Sequence, residues 1–166
     1  MVEEDNTGAK NNEPKTAGKL GQELIENIQN TEFGSPVRLA WMDFFDRNKL
    51  VDELYANRRD VKEARENSKD TLDLIGKESD LRIVEMKTAL LENDIRRREA
   101  EVPGYSEVSR NFDNVLGEIA WAAREEVEAK YPNDDESKWE ERTEDLYQSI
   151  IGKVEQEARS RKGKQA

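Results

Sequence analysis

The apolar residues of this chain recur at helical spacing, and this periodicity is what most constrains the fold. From Leu20 to Val154 they return every three or four positions, which places them along one side of an α-helix. No stretch alternates apolar and polar residues between turn signals, as a half-buried strand would. The sequence therefore predicts an all-α protein.

The composition predicts a thin hydrophobic core. Only 34% of the 166 residues are hydrophobic and 39% are charged, whereas globular domains are usually about 45–50% apolar. Helices of this kind bury one narrow face, either on each other or on a second copy of the chain. We therefore expect a homo-oligomer that also binds a protein partner. The net charge of −11 opposes binding to nucleic acid and to anionic membranes.

The chain contains no histidine and no cysteine. A Ser/His/Asp relay, a thiolate nucleophile and the usual zinc sites all need one of these side chains, so such chemistry is excluded. The sequence favours a protein with no catalytic activity and no cofactor. It holds no apolar run of the roughly 18–20 residues that span a bilayer, and residues 1 to 18 are too polar for a signal peptide. We expect a cytoplasmic protein.

Four segments are predicted along the chain. Residues 1 to 18 hold almost no apolar side chains and are expected to form a disordered arm. Residues 19 to 56 form a short N-terminal helical segment, in which Ser35 followed by a proline is a strong helix start. Residues 57 to 160 form a long helical hairpin with a C-terminal helix, and residues 161 to 166 form a basic tail.

The hairpin is predicted from a long helix, a turn and a returning helix. The stretch from Asn57 to Thr71 is expected to remain helical and solvated on all sides, because it is almost wholly polar yet has no proline or glycine, and the helix then continues through the apolar heptad to Val102. Pro103 and Gly104 then reverse the chain. The helix after them returns antiparallel to the first, in a coiled-coil-like bundle.

Two apolar stripes on these helices are the candidate oligomer interface. The stripe on the first helix follows alternating a and d positions of a heptad, and a second stripe lies on the returning helix. Their members are Leu81, Val84, Leu91, Ile95, Val102, Phe112, Val115 and Ile119. The alternative is that the same stripes pack within one chain, as in a monomeric bundle.

Aromatic residues are concentrated in the N-terminal helical segment. Trp41, Phe44 and Phe45 are a candidate partner-binding face, because aromatic side chains contribute strongly to interfaces. Packing in the core of the chain is the alternative, and it is the commoner fate of such a cluster.

Paired glutamates are the one candidate metal site. Glu125 and Glu128 lie three residues apart on one helix face, and Glu141 and Glu144 repeat that spacing. Two such pairs facing each other would hold Mg²⁺, which prefers oxygen ligands. The arrangement resembles the all-α nucleotide pyrophosphohydrolases, the MazG and dUTPase-like group, whose signature is E-x-x-E followed by E-x-x-D. That resemblance implies a Mg²⁺-dependent enzyme acting on nucleoside triphosphates; the alternative is that these glutamates lie on solvated helix faces.

The C-terminal tail carries a concentration of positive charge. Arg159, Arg161, Lys162 and Lys164 are the candidate contacts for nucleic acid or another acidic surface. A solvated chain end is the alternative for these residues.

A second resemblance covers residues 80 to 132. The stretch KTALLENDIRRREAEVP at positions 87 to 103, with Val108 after it, is similar to the second half of lambda-type phage small terminase subunits. The resemblance implies that the helical hairpin oligomerises, that an N-terminal domain recognises viral DNA, and that the C-terminus engages a large subunit which hydrolyses ATP. It makes a phage assembly or DNA-packaging adaptor, in the host cytoplasm, the most concrete expectation for this chain.

Overall fold

The computed structural model describes residues 14–67 and 69–161. This part of the chain is helical and has no β-strand, which confirms the all-α prediction. Its helices are α1 (Ala17–Gln29), α2 (Pro36–Asn67), α3 (Thr71–Glu101), α4 (Tyr105–Arg110), α5 (Phe112–Lys130) and α6 (Glu136–Arg159). Among these residues, no helix combines the length and the apolar character that crossing a bilayer requires.

The chain divides into two compact units. One consists of residues Gly34–Ser109, and the other of Met1–Phe33 together with Arg110–Ala166. The predicted boundary between residues 56 and 57 lies inside α2 and has to be corrected. The physical reason is local: good helix formers continue through this position, and neither proline nor glycine interrupts them.

The predicted disordered arm is also too long at its C-terminal end. Helix α1 begins at Ala17, which is buried. The side chain of Thr16 caps this helix by accepting a hydrogen bond from the Lys19 N–H at 3.1 Å. A capped start and a buried first residue offset the entropy lost on ordering the chain here. Residues 1 to 13 of the predicted arm lie outside the described residues.

The first unit is built on an antiparallel hairpin of α2 and α3. Helix α2 begins at Pro36 as predicted, and the Ser35 hydroxyl accepts a hydrogen bond from the Arg38 N–H at 3.3 Å. Two ion pairs between the helices reflect the antiparallel direction of the hairpin. Arg47 near the start of α2 bonds Glu92 near the end of α3, with 2.6 Å from Nε to Oε1, and the Arg65 and Glu78 side chains meet at 3.0 Å near the turn.

The prediction of one unbroken helix from Asn57 to Val102 is wrong. Helix α2 ends at Asn67, and α3 begins at Thr71 after Asp70, whose carboxylate accepts a hydrogen bond from the Leu72 N–H at 3.0 Å. An aspartate cap satisfies amides that would otherwise be free at a new helix start.

The stretch before this turn is not solvated on all sides either. Val61 and Ala64 are buried, and they lie on the side of α2 that carries Arg47 and Arg65, which pair with α3. Two small apolar side chains are enough to bury a strip of helix when the partner helix runs directly alongside.

The hairpin partner of α3 is therefore α2. The prediction had paired it with the helix that follows Pro103. The chain does turn at Pro103 and Gly104. The φ of Gly104 is +90°, a backbone conformation that residues with a Cβ rarely adopt. The physical reason for the difference is the earlier turn at Asp70, which brings α2 back along α3.

A buried polar network fixes the end of the hairpin distant from that turn. Arg98 of α3 donates from Nη1 to both carboxylate oxygens of Asp43 at 2.6 Å, and the Tyr105 hydroxyl donates to Asp43 at 2.8 Å. Burial and this hydrogen bond raise the pKa of Tyr105. Asp43 is buried, so its two donors supply the pairing that a buried carboxylate needs.

The second unit contains a bundle of α1, α5 and α6, with each helix packed on the other two. The α1 and α6 helices approach closely, because a Cβ built on Gly21 would lie 2.4 Å from Cγ2 of Ile150. Asp135 caps α6 by accepting a hydrogen bond from the Lys138 N–H at 2.9 Å. The buried apolar residues are Ala17, Leu24, Ile28, Phe112, Ile119, Ala122, Ala123, Val127, Ile150, Ile151, Val154 and Ala158.

Candidate protein-interaction surface

Helix α3 exposes a row of large apolar side chains, which we call the outer ridge. The row consists of Leu72, Ile75, Ile83, Met86 and Leu90, and their exposed fractions are 78%, 52%, 51%, 64% and 60%. Single exposed apolar residues are normal on protein surfaces, but several large ones aligned on one side of a helix are typical of an interaction site.

The spacing of the outer ridge puts it on one side of the helix. Its members follow one another at intervals of three, eight, three and four residues, and at 3.6 residues per turn these intervals return to nearly the same direction. Ser79 occupies the remaining position of the row, between Ile75 and Ile83.

The opposite side of α3 is the one that packs on α2. Val84 and Ile95 are buried there, on the side that also presents Glu92 and Arg98 to their partners on α2. Helix α3 therefore has two apolar faces. One is covered by its own chain and the other, the outer ridge, is in contact with solvent.

Four of the eight residues of the predicted oligomer interface lie in the core of the single chain, and for the other four the interface stays a prediction. Val84, Ile95, Phe112 and Ile119 are buried, whereas Leu81, Leu91, Val102 and Val115 are half-buried. Within the first unit, α2 covers the stripe on α3. The helical period of a sequence shows that a face needs a partner, but it does not show whether that partner belongs to the same chain.

The predicted partner-binding aromatic residues also pack inside the protein. Trp41 is 3% and Phe45 is 6% exposed, and Phe44 is half-buried. The three rings pack on one another, with centroids 5.3 to 6.0 Å apart. These residues take the core-packing alternative, because a ring on the inner side of a helix shields more apolar surface than one left in water.

The four glutamates of the predicted metal site do not come together. Among the residues that the structure describes, no group of three or more acidic side chains is arranged to hold a metal ion. Each glutamate has a partner on its own helix: Glu125 accepts from Trp121 Nε1 at 2.8 Å, Glu128 from Arg124 at 2.8 Å, Glu141 pairs with Lys138 at 3.6 Å, and Glu144 accepts from Gln148 at 2.8 Å. These contacts are those of solvated helix faces.

The basic tail is only partly described. Arg159 is the last residue of α6 and pairs with Glu155 one turn earlier, at 2.9 Å. The guanidinium of Arg161 lies 5.3 Å from the centre of the Phe33 ring. Lys162 and Lys164 lie outside the described residues. The structure thus engages both described arginines in contacts within the second unit.

The bundle has an open cleft of about 360 Å³ at the α5–α6 turn. Tyr131 and Arg142 line it, and the Arg142 guanidinium lies 3.7 Å from the centre of the Tyr131 ring while its Nε donates to Asp134 at 2.7 Å. Trp139 also donates from Nε1 to the Tyr131 carbonyl at 2.7 Å. These contacts hold the turn in place.

Comparison of the chain with protein-family models, with curated proteins and with solved structures finds no match. The chemistry of the α3 surface is therefore the basis for assigning a function. The outer ridge is not among the predicted sites, although its signal is present in the sequence: a second set of apolar residues, also at helical spacing, is interleaved with the set that forms the inner face.

Proposed function

We propose that this protein is a non-enzymatic helical interaction protein that assembles with copies of itself and binds a protein partner. The observation that carries the proposal is the outer ridge, in which five large apolar side chains of α3 are each more than half exposed. Residues of this kind are depleted from solvated helix faces unless another surface covers them.

The energy available from covering the ridge supports this proposal. Full burial of one large apolar side chain is worth about 1.5–3 kcal/mol. Two ridges that cover each other would therefore gain on the order of 10 kcal/mol, which is comparable to the cost of roughly 4–15 kcal/mol for fixing two molecules together. We accordingly expect an assembly whose extent depends on protein concentration.

The shape of the hairpin suits contact between helices. Helix α3 has 31 residues, which at 1.5 Å per residue corresponds to about 46 Å of rod. A straight apolar row on a rod fits another helix laid along it, as in helix-in-groove and coiled-coil recognition.

The most concrete version of the proposal is a phage assembly or DNA-packaging adaptor acting in the host cytoplasm. It rests on the sequence resemblance of residues 80 to 132 to lambda-type small terminase subunits. In this chain α3 forms its hairpin with α2, so the resemblance extends to the sequence of the matched stretch and not to the pairing of its helices. The net charge of −11 favours a basic protein partner over nucleic acid as the second binding partner. Within this proposal, contact with nucleic acid is assigned to the basic tail.

Light scattering coupled to size exclusion tests the assembly. The wild-type protein should exceed its monomer mass of 19.2 kDa at tens of micromolar and should dissociate on dilution. Replacing Met86 and Leu90 by glutamine, which keeps helix propensity but removes apolar surface, should abolish the increase. The matched control replaces Val51 and Tyr55 by glutamine, because these are exposed apolar residues four positions apart on α2 and outside the outer ridge; it should assemble like the wild type. A wild-type protein that stays at monomer mass throughout this range would refute the proposal.

A further inference from the structure

The outer ridge is nearly symmetric about residue 81. Leu72 lies nine positions before this point and Leu90 nine after it, while Ser79 and Ile83 lie two positions on either side. Gly76 lies on the same side of the helix, between Leu72 and Ser79. It is five positions before the centre, and Met86 is five after it. A two-fold axis through this point would therefore exchange Leu72 with Leu90, Gly76 with Met86 and Ser79 with Ile83, whereas Ile75 would exchange with Lys87 beside the row.

The geometry points to a second copy of this chain as the occupant of the ridge, with the two α3 helices antiparallel and a two-fold axis near residue 81. This inference rests on the proposed function, because it specifies how the assembly forms. In an antiparallel pair, residues that face each other have position numbers with a constant sum. The pairs Leu72 with Leu90, Gly76 with Met86 and Ser79 with Ile83 all have the same sum. The interface is then isologous, with the same patch on both copies.

Side-chain volume favours this direction over the parallel one. In the antiparallel pair Met86 meets Gly76 of the other copy, and Ile83 meets Ser79, so that each large residue faces a small one. Apart from its chain neighbours and the backbone of its own helix, no described atom lies within 4 Å of a Cβ built on Gly76, which leaves room for the methionine. A parallel pair in register would set Gly76 against Gly76 and Ser79 against Ser79 and would leave gaps between the helices.

Charge favours the same direction. Asp73, Asp80 and Lys87 lie on one flank of the ridge, and all three are exposed. In the antiparallel pair this flank faces the same flank of the other copy, so that Lys87 comes between Asp73 and Asp80 of that copy. In the parallel pair Lys87 would face Arg82 instead, and like charges at such positions oppose pairing.

The remaining like charges lie close to the axis. Arg82 of one copy approaches Arg82 of the other on the opposite flank, but each has Glu78 and Glu85 four residues before and three residues after it in its own helix.

The row itself is long enough for a specific contact. Five large side chains that are more than half exposed bury on the order of 600 Å² per copy, near the ~800 Å² per partner of a standard interface.

The native chain contains no cysteine, so single introduced thiols report the register. Leu72→Cys and Leu90→Cys are prepared separately, and each is oxidised mildly, alone and as an equimolar mixture. The antiparallel pair predicts a covalent dimer in the mixture and little in either variant alone, because a disulfide requires Cα atoms about 4.4–6.8 Å apart. A dimer formed by Leu72→Cys alone would overturn the inference in favour of parallel helices.

Charge reversal tests the same register without a covalent bond. Lys87→Glu should raise the concentration for half-assembly by about tenfold, since it turns attraction into repulsion at both ends of the pair. Adding Asp73→Lys and Asp80→Lys to that variant should restore assembly. The matched control is Lys62→Glu, which makes the same charge change at an exposed position of α2.

The outcomes separate this inference from the proposed function. In one outcome the wild-type protein assembles, but the cysteine mixture forms no covalent dimer and the variant with all three charge changes does not regain assembly. That outcome would overturn the register and leave the assembly standing. A wild-type protein of 19.2 kDa at every concentration would overturn both. Circular dichroism of each variant checks that helix content is retained, which is expected because all the changed positions are exposed.

Discussion

The closest helix contact in the bundle makes Gly21 the most informative position for mutation. A Cβ at this position would lie 2.4 Å from Cγ2 of Ile150, well inside van der Waals contact, so Gly21→Ala forces α1 and α6 apart or displaces Ile150. Overpacking of this kind costs about 1–3 kcal/mol. The alanine also gains about 0.8–1 kcal/mol of helix propensity over glycine, and the two effects oppose each other.

A second glycine in the same unit serves as a control. The gain in helix propensity on replacing glycine by alanine is the same at both positions and cancels in the comparison. Gly152 lies in the interior of α6, and apart from its chain neighbours and the backbone of its own helix, no described atom lies within 4 Å of a Cβ built there. Gly152→Ala should therefore stabilise the protein by about 0.8–1 kcal/mol. The free energy of unfolding of Gly21→Ala should be lower than that of Gly152→Ala by about 1–3 kcal/mol.

Urea unfolding followed by circular dichroism measures this difference. The double variant with Ile150→Ala should recover part of the loss at Gly21, because the methyl group that obstructs the new Cβ has been removed, and the four proteins form a double-mutant cycle. If Gly21→Ala proves as stabilising as Gly152→Ala, then α1 and α6 do not cross at the distance described here.

Three further predictions concern the first unit. Asp43→Ala should lower the free energy of unfolding by about 3–5 kcal/mol in a urea titration, because it leaves the partly buried Arg98 without its carboxylate; a loss below 1 kcal/mol would contradict the role of this network. The hydrogen bond from Arg47 holds the pKa of Glu92 below its ordinary value of 4.5, so the pair stabilises the fold above that value and its contribution disappears as pH falls through the lowered pKa. Glu92→Gln should therefore cost at most about 0.5 kcal/mol at pH 7, since the pair is partly exposed, and nothing at pH 2; a difference that grew on acidification would refute this. Ile95→Ala should destabilise the monomer by about 2–5 kcal/mol in the same titration, whereas an effect only on assembly would return this residue to an interface between copies.

The start of α2 and the fold class were predictable because they depend on local chemistry. Ser35 and Pro36 begin α2 as the sequence predicts, and the all-α class follows from the helical period alone. The turn at Asp70 was not predictable in the same way. Its segment has no proline or glycine, and an aspartate in a polar stretch indicates a helix cap only when the chain reverses there.

The choice of helix partners lay beyond the sequence for a different reason. The stripe that includes Val84 and Ile95 is correct as a buried face, but its period is the same whether α2 or a second copy covers it. Contacts between residues distant in the chain, such as Asp43 with Arg98, decide between the two, and no local pattern encodes them. For the glutamate pairs, a local pattern was correct but the predicted contact was not. The spacing places Glu125 and Glu128 on one helix, but no second pair lies close enough to form a metal site with them.

The two apolar faces of α3 explain why an acidic, weakly hydrophobic chain should assemble at all. A chain with 34% hydrophobic residues has few to spare, and if the surplus were scattered over the surface it would need no explanation. Instead, five of the large apolar residues left exposed lie in one row on a single helix. A row of this kind costs solubility unless it is covered, and the charged residues along its flanks limit which surface can cover it. The inner face of α3 gives the hairpin its stability, so selection for the fold accounts for Val84 and Ile95 but leaves the outer ridge to be explained by binding.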